Sequence, residues 1–152
     1  MATLRIITLP EYEKELRHPS NAVKPAEITQ AELQSFFNAL GETMIKADGL
    51  GLAAPQTNRH IRVIAVNINE RPQIFVNPQI TAKSWLKDVQ EEGCLSIPNV
   101  YGPVKRHKKI TLTYYDRQGR QHKEKFTGLT ARVIQHEVDH LDGVLFIDKL
   151  AK

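Results

Sequence analysis

The sequence predicts an α+β domain in which mostly antiparallel sheets pack around a C-terminal helix, with one further, N-terminal amphipathic helix. Three observations carry this prediction. Apolar residues recur at helical spacing in two separate stretches, Leu33-Phe36-Phe37-Leu40-Met44 and Leu129-Val133-Ile134. Short runs of strand composition lie between them, and two of these, residues 110–115 (ITLTYY) and 121–126, flank a turn at Asp116-Arg117-Gln118-Gly119. Links this short leave no room for repeated parallel crossovers, so pairing is expected to be antiparallel.

Taken in order, residues 4–9 read as a short apolar strand or extended arm that Pro10 ends. Residues 11–28 are polar and carry Pro19 and Pro25, which predicts a loop with at most a helical turn. Thr29 followed by Glu32 has the pattern of a capping box, and the helix it opens is expected to end near Gly49. Its apolar stripe reads as core packing. Residues 61–67 (IRVIAVN) and 73–77 (QIFVN) have strand composition, with a turn at Glu70-Arg71-Pro72. Gly128 opens the last helix, Gly143 stops it, and residues 144–147 form a short apolar closing segment.

At 152 residues the chain fits one domain, with 41% hydrophobic and 25% charged residues, proportions that separate it from disordered chains. It shows no repeat, linker or low-complexity tract, so a single catalytic domain over 1–152 is expected. No apolar run approaches bilayer length, and the first ten residues lack the apolar core of a signal peptide. A cytoplasmic setting is expected, with a processed organelle protein as the alternative, and a lone cysteine, Cys94, agrees with a reducing compartment. The net charge of +4 is only a weak pointer to nucleic acid.

The chemistry concentrates in Gln135-His136-Glu137-Val138-Asp139-His140. On a helix, His136 and His140 share one face and can grip one metal ion, with Glu137 beside them as a base, which makes the C-terminal helix a metal-binding helix. H-E-x-x-H also occurs by chance, and a buried histidine bonded to a carbonyl is the alternative for either residue. A catalytic metal of this kind takes three protein ligands and keeps one position open, so one ligand must come from elsewhere. Cys94 in Glu91-Glu92-Gly93-Cys94-Leu95-Ser96 is the candidate, although a lone cysteine is more often a small buried hydrophobe. A third unusual stretch, Gly49-Leu50-Gly51-Leu52-Ala53-Ala54-Pro55-Gln56, has two glycines around Leu50 that admit close approach of another backbone; a helix end and turn is the plainer reading.

Together these three stretches resemble the peptide deformylase family, whose motifs are written G-x-G-L-A-A-x-Q, E-G-C-L-S and Q-H-E-x-D-H. They are matched by residues 49–56, 92–96 and 135–140, and the lengths between them fit along nearly the whole chain. The resemblance implies removal of the formyl group from N-formylmethionyl peptides, with Cys94, His136 and His140 holding one divalent metal ion. That ion is Fe(II) in many members, and Zn, Ni or Co can replace it. Glu137 would move the protons, Gln56 and the Leu95 backbone N–H would stabilise the oxyanion, and Leu50 and Gly51 would pair with substrate backbone. Leu129 and Val133 would wall the methionine side chain, with core packing as their alternative. Arg132 would join that wall or lie at its rim with its head in water, while Asp139 and Glu92 would orient ligands or form ordinary salt bridges.

The sequence departs from the family pattern in two places. Tyr101 stands near the position where some members carry an arginine that holds peptide backbone. Many bacterial members continue into a C-terminal helix implicated in ribosome docking, whereas this sequence stops at Lys152. Lys105-Arg106-His107-Lys108-Lys109 could then face the ribosome surface, or be a solvated charge run; no membrane or specific DNA partner is expected. H-E-x-x-H alone also fits a zinc endopeptidase, but such enzymes use a further His or Glu as third ligand. A structural metal site would need a fourth protein ligand, and there is no second cysteine.

Overall fold

A five-stranded antiparallel sheet forms the centre of the molecule, and the computed structural model describes it within residues 3–152. Its strands are β1 (Gly51–Ala53), β2 (Val63–Ile68), β3 (Arg71–Lys83), β6 (Lys109–Tyr115) and β7 (Gln121–Thr127), in the order β1-β2-β3-β6-β7. A two-stranded antiparallel sheet, β4 (Lys87–Cys94) with β5 (Ile97–His107), stands apart from it. The helices are α1 (Glu13–Leu16), α2 (Ala31–Lys46) and α3 (Gly128–Leu141), with 3₁₀ turns at Pro25–Glu27, Ala54–Thr57 and Phe146–Lys149. The α+β class with antiparallel sheets around a C-terminal helix is therefore what the chain adopts.

Strand β2 explains why residues 63–66 read as one unbroken apolar run. Val63 and Ala65 face the core under α2, which buries Leu33, Phe36, Phe37, Leu40 and Met44 there. Ile64 and Val66 face the other way, into the core made by Ala131, Ile134, Val138 and Leu141 of α3. With a helix on each side, both faces of the strand exclude water and alternation disappears. A third cluster, Ile7, Leu16, Ile97, Val104, Leu145 and Phe146, ties the small sheet to both ends of the chain.

Several boundaries differ from expectation for identifiable reasons. Helix α2 starts one residue later than the Thr29 capping box predicts: Gln30 is its N-cap, no side chain caps it, and Glu32 instead pairs with Arg59 at 2.6 Å. It ends at Lys46, and the left-handed residue that turns the chain is Asp48 (φ 55°), with the Gly49 N–H donating to the Met44 carbonyl at 2.9 Å. The β2–β3 turn is Asn69-Glu70, both at positive φ, as a two-residue hairpin demands. Pro72 lies inside β3, tolerated because β6 pairs with β3 only from Val76 onward. Residues 4–9 form the extended arm and join no strand: the Ile7 N–H donates to the Gln56 carbonyl at 2.8 Å and the Leu9 N–H to the Ser96 carbonyl at 2.9 Å.

The β4–β5 hairpin has no counterpart in the sequence reading. Its strands are polar and carry Gly93, Gly102, Pro98 and Pro103, and the face turned inward combines the apolar Ile97 and Val104 with the buried charges of Glu92 and Arg106.

Candidate metal centre and surrounding cleft

Helix α3 places His136 and His140 one turn apart, and the end of β4 brings Cys94 to them. One donor atom from each lies within 4.8 Å of the others, and Cys94 Sγ is 3.3 Å from His140 Nε2. Both histidines and Glu137 are buried, because α3 is packed against sheet on one side and β5 on the other.

The orientation of His136 comes from Glu92. Its Nδ1 lies 2.9 Å from Glu92 Oε1, which leaves Nε2 turned toward Glu137 and the cysteine, and its ring stacks on Phe146 at 6.1 Å. Glu92 in turn is gripped by two buried arginines. Arg106 donates to both its oxygens at 3.0 Å, and Arg132 Nη1 donates at 2.6 Å. Arg106 also donates to Asp139 at 2.6 Å, and Asp139 meets Lys149 at 3.1 Å. Burial opposes a charge on Glu92, but hydrogen bonds from His136 and Arg106 overcome it and hold the carboxyl well below the usual carboxylate range. Asp139 and Glu92 are thus salt-bridged. Arg132 is buried, so its head does not reach water at a pocket rim as the sequence reading allowed.

Glu137 stands beside the ligand cluster with Oε1 buried and without a hydrogen-bond partner. Burial pushes its carboxyl up to about 7, a rise that His136 partly offsets. For His136, burial disfavours the imidazolium, yet Glu137, Cys94 and Glu92 carry it up to about 10. Burial and the charge on His136 push His140 well below its ordinary value, keeping that imidazole neutral. Surroundings negative enough to hold a proton on His136 also favour a metal cation. One thiolate and two imidazoles form a donor set suited to a divalent transition metal, so the residues present fit such an ion.

Gln56 is locked from behind. Its Oε1 accepts from the Ala53 N–H at 2.8 Å, which turns Nε2 toward Ser96 Oγ at 3.1 Å and Cys94 Sγ at 3.5 Å. Ser96 was not singled out from the sequence, although it sits inside the same motif as Cys94. Leu95 occupies the tight turn between β4 and β5, and a Cβ at Gly49 would lie 2.9 Å from its side chain. Gly51 is tighter still: a Cβ there would be 2.6 Å from Glu137 Oε2 and 2.8 Å from Val133.

These groups open onto a cleft of about 330 Å³. Gly49, Leu50 and Gly51 line one wall, Leu129, Val133 and Arg132 of α3 another, and Glu91, Gly93 and Tyr101 a third. Strand β1 is the edge of its sheet, paired on one side with β2 through Gly51 and Val66. Its other side, with Leu50 half-exposed, borders the cleft. Nine of the ten site residues expected from the sequence line this one cavity, His140 stands behind it against Cys94 Sγ, and Tyr101 joins them by packing its ring over Gly93.

The family model described as polypeptide deformylase matches residues 3–152. A peptide deformylase of Chlorobium luteolum is 39% identical over 97% of this chain and 80% of its own length. Among solved structures, that of the Thermotoga maritima peptide deformylase superposes with a TM-score of 0.93 at 34% identity, covering all of both chains. A class I type b peptide deformylase of Acinetobacter baumannii with Met-Ala-Ser bound gives a TM-score of 0.92 at 32% identity, covering 98% of this chain and 99% of that one.

Proposed function

Because the chain belongs to the polypeptide deformylase family, we propose that residues 1–152 act as one catalytic domain in which Cys94, His136 and His140 hold a divalent metal and Glu137 moves the protons. The chain removes the formyl group from the N-terminal formyl-methionine of newly made polypeptides, releasing formate. The observation that carries the assignment of roles is the convergence of the three donor atoms within 4.8 Å beside the unpartnered carboxylate oxygen of Glu137.

When bound, the metal supplies Lewis acidity that polarises the formyl oxygen and lowers the pKa of water toward neutrality. Glu137, raised by burial into the range of a general base, accepts a proton from the attacking water. Gln56 Nε2 and the Leu95 N–H donate to the oxygen on which charge builds, each such donor being worth about 3–4 kcal/mol. As the C–N bond breaks, Glu137 returns its proton to the departing amine, leaving formate and a free N-terminus. The free edge at Leu50 and Gly51 pairs with the substrate backbone, and Leu129 and Val133 wall the methionine side chain.

Fe(II) is the ion this proposal favours, because one thiolate softens a site otherwise made of imidazole, and Zn, Ni or Co suit the same donors. The setting is the cytoplasm, where a reducing environment preserves the single thiol. No helix among the described residues is long and apolar enough to cross a membrane. The proposed docking partner is the ribosome surface, from which new chains emerge. The test is formate release from formyl-Met-Ala-Ser by protein loaded anaerobically with iron or aerobically with nickel. No release from a folded, metal-replete sample would overturn the assignment.

A further inference from the structure

We propose that the far end of the β4–β5 hairpin is a docking surface for single-stranded RNA, with Trp85 as a base-stacking platform and Lys83, Lys87 and Lys105 as phosphate contacts. This deepens the functional reading above, since the substrate emerges from a particle whose surface is largely RNA. Trp85 is 92% exposed and Leu86 62% exposed, in the loop between β3 and β4. An indole this open is unusual for so large an apolar side chain, and its neighbours decide what it can bind. The loop is firmly held. The Ser84 N–H donates to the Lys109 carbonyl at 2.9 Å and the Lys108 N–H to the Leu86 carbonyl at 3.0 Å. The Ser84 hydroxyl donates to the Leu86 carbonyl at 2.8 Å and accepts from the Lys109 N–H at 3.1 Å, while His107 Nδ1 meets the Ser84 carbonyl at 2.7 Å. The indole is thus presented on a preorganised turn.

The charge around it is sorted by the pleat of the sheet. Cross-strand pairs Lys87 with His107 and Val89 with Lys105 share one face, while Asp88 and Arg106 take the other, where the buried ion pairs lie. All three lysines are exposed, and among the described residues none has a carboxylate within 4.0 Å. With Trp85, Leu86 and His107 they line a groove of about 600 Å³. Unneutralised lysines in a concavity beside an exposed indole match a backbone of phosphates and the flat face of a base. An acidic peptide would use the lysines and leave the indole idle. A planar lipid surface would meet the exposed Trp85 and Leu86 but not lysines that line a groove with them, so a single strand fits better and vesicles form the competing arm of the test. Lys87 and Cys94 end the same strand, about 23 Å apart at ~3.3 Å per residue, so RNA held here leaves the catalytic cleft clear.

Trp85 is the only tryptophan in the chain, so its fluorescence reports directly on this surface. Titration with a mixed-sequence 16-nucleotide RNA is expected to quench it, with log K falling against log salt at a slope of about −2 for three contacts to a single strand. The triple variant Lys83→Ala, Lys87→Ala, Lys105→Ala should lose that slope and at least about tenfold in affinity. Trp85→Ala, read by anisotropy of labelled RNA, should bind about tenfold more weakly with the slope unchanged. Formate release from formyl-Met-Ala-Ser should be unaltered in every variant. Absence of quenching at low salt overturns the inference. So does a response to phosphatidylglycerol vesicles or polyglutamate but not RNA, or loss of formate release in the variants. Wild-type protein that binds RNA but releases no formate would instead overturn the enzymatic reading and leave this surface standing.

Discussion

Gly51→Ala tests whether the position of the Glu137 carboxylate governs the chemistry. The added methyl would lie 2.6 Å from Glu137 Oε2 and 2.8 Å from Val133, about 0.8 Å inside ordinary contact. Backbone strain is not the cause of any loss, because Gly51 pairs with Val66 in an ordinary strand and is absent from the positive-φ positions. The carboxylate has to move, since Glu137 and Val133 share the helix that carries both histidines, and the long Glu137 side chain can turn about its own torsions whereas β-branched Val133 is stiff. A misplacement of about 1 Å of a catalytic group can cost roughly 10²-fold, so kcat should fall by about 30- to 100-fold. KM should rise as well, because the methyl also lies at the edge proposed to pair with substrate. The metal donors are untouched, so metal content should match the wild type. The measurement is steady-state formate release with metal analysis on the same sample and a thermal melt to confirm folding. A folded, metal-replete Gly51→Ala protein with kcat within threefold of wild type would refute the reasoning.

Three other outcomes are expected. Glu137→Gln should retain metal and lower kcat by roughly 10³-fold. Its thermal stability should hold or increase, since burial opposes the wild-type charge; loss of metal instead would remove Glu137 from the proton-handling role. Glu92→Gln takes the negative charge from between Arg106, Arg132 and His136, and should cost about 3–5 kcal/mol in denaturant unfolding and 10- to 100-fold in metal affinity against a chelator. Unchanged values for both would mean that the two arginines find other partners. Burial disfavours the charge on Asp116, but His122 and the Arg120 and Gln118 N–H groups lower its pKa to about 2. Its folded value lies below the ordinary value of 3.8, so its stabilisation is complete above about pH 4 and lost as pH falls toward 2. Screened by water, it amounts to about 1 kcal/mol, and Asp116→Asn should flatten that part of the acid unfolding curve. An identical acid limb in the variant would contradict this.

Much of the molecule is legible in the amino-acid sequence. Helix α2 declares itself through Leu33, Phe36, Phe37, Leu40 and Met44, because one buried face imposes its period on local sequence. The metal helix is equally local: spacing within α3 puts His136 and His140 on one side. Cys94, Gln56 and Gly51 stand out as members of motifs, but only the fold shows why each residue type is required, as with the Gly51 hydrogen that leaves room for Glu137.

What the tertiary structure alone decided is the β4–β5 sheet and the charge network behind the site. Residues 87–107 show little apolar alternation because Glu92 and Arg106, neutralised by Arg132, His136 and Asp139 of a helix 33 to 44 residues further on, share their inner face with Val104. A charged side chain reads as solvent-exposed in sequence, and it becomes a core residue only when a partner of opposite sign is brought to it. For the same reason the basic run 105–109 could not be resolved from composition. The fold buries Arg106 and leaves Lys105 in the open, since neighbours in a strand point to opposite faces and only the packing of α3 decides which face is inside.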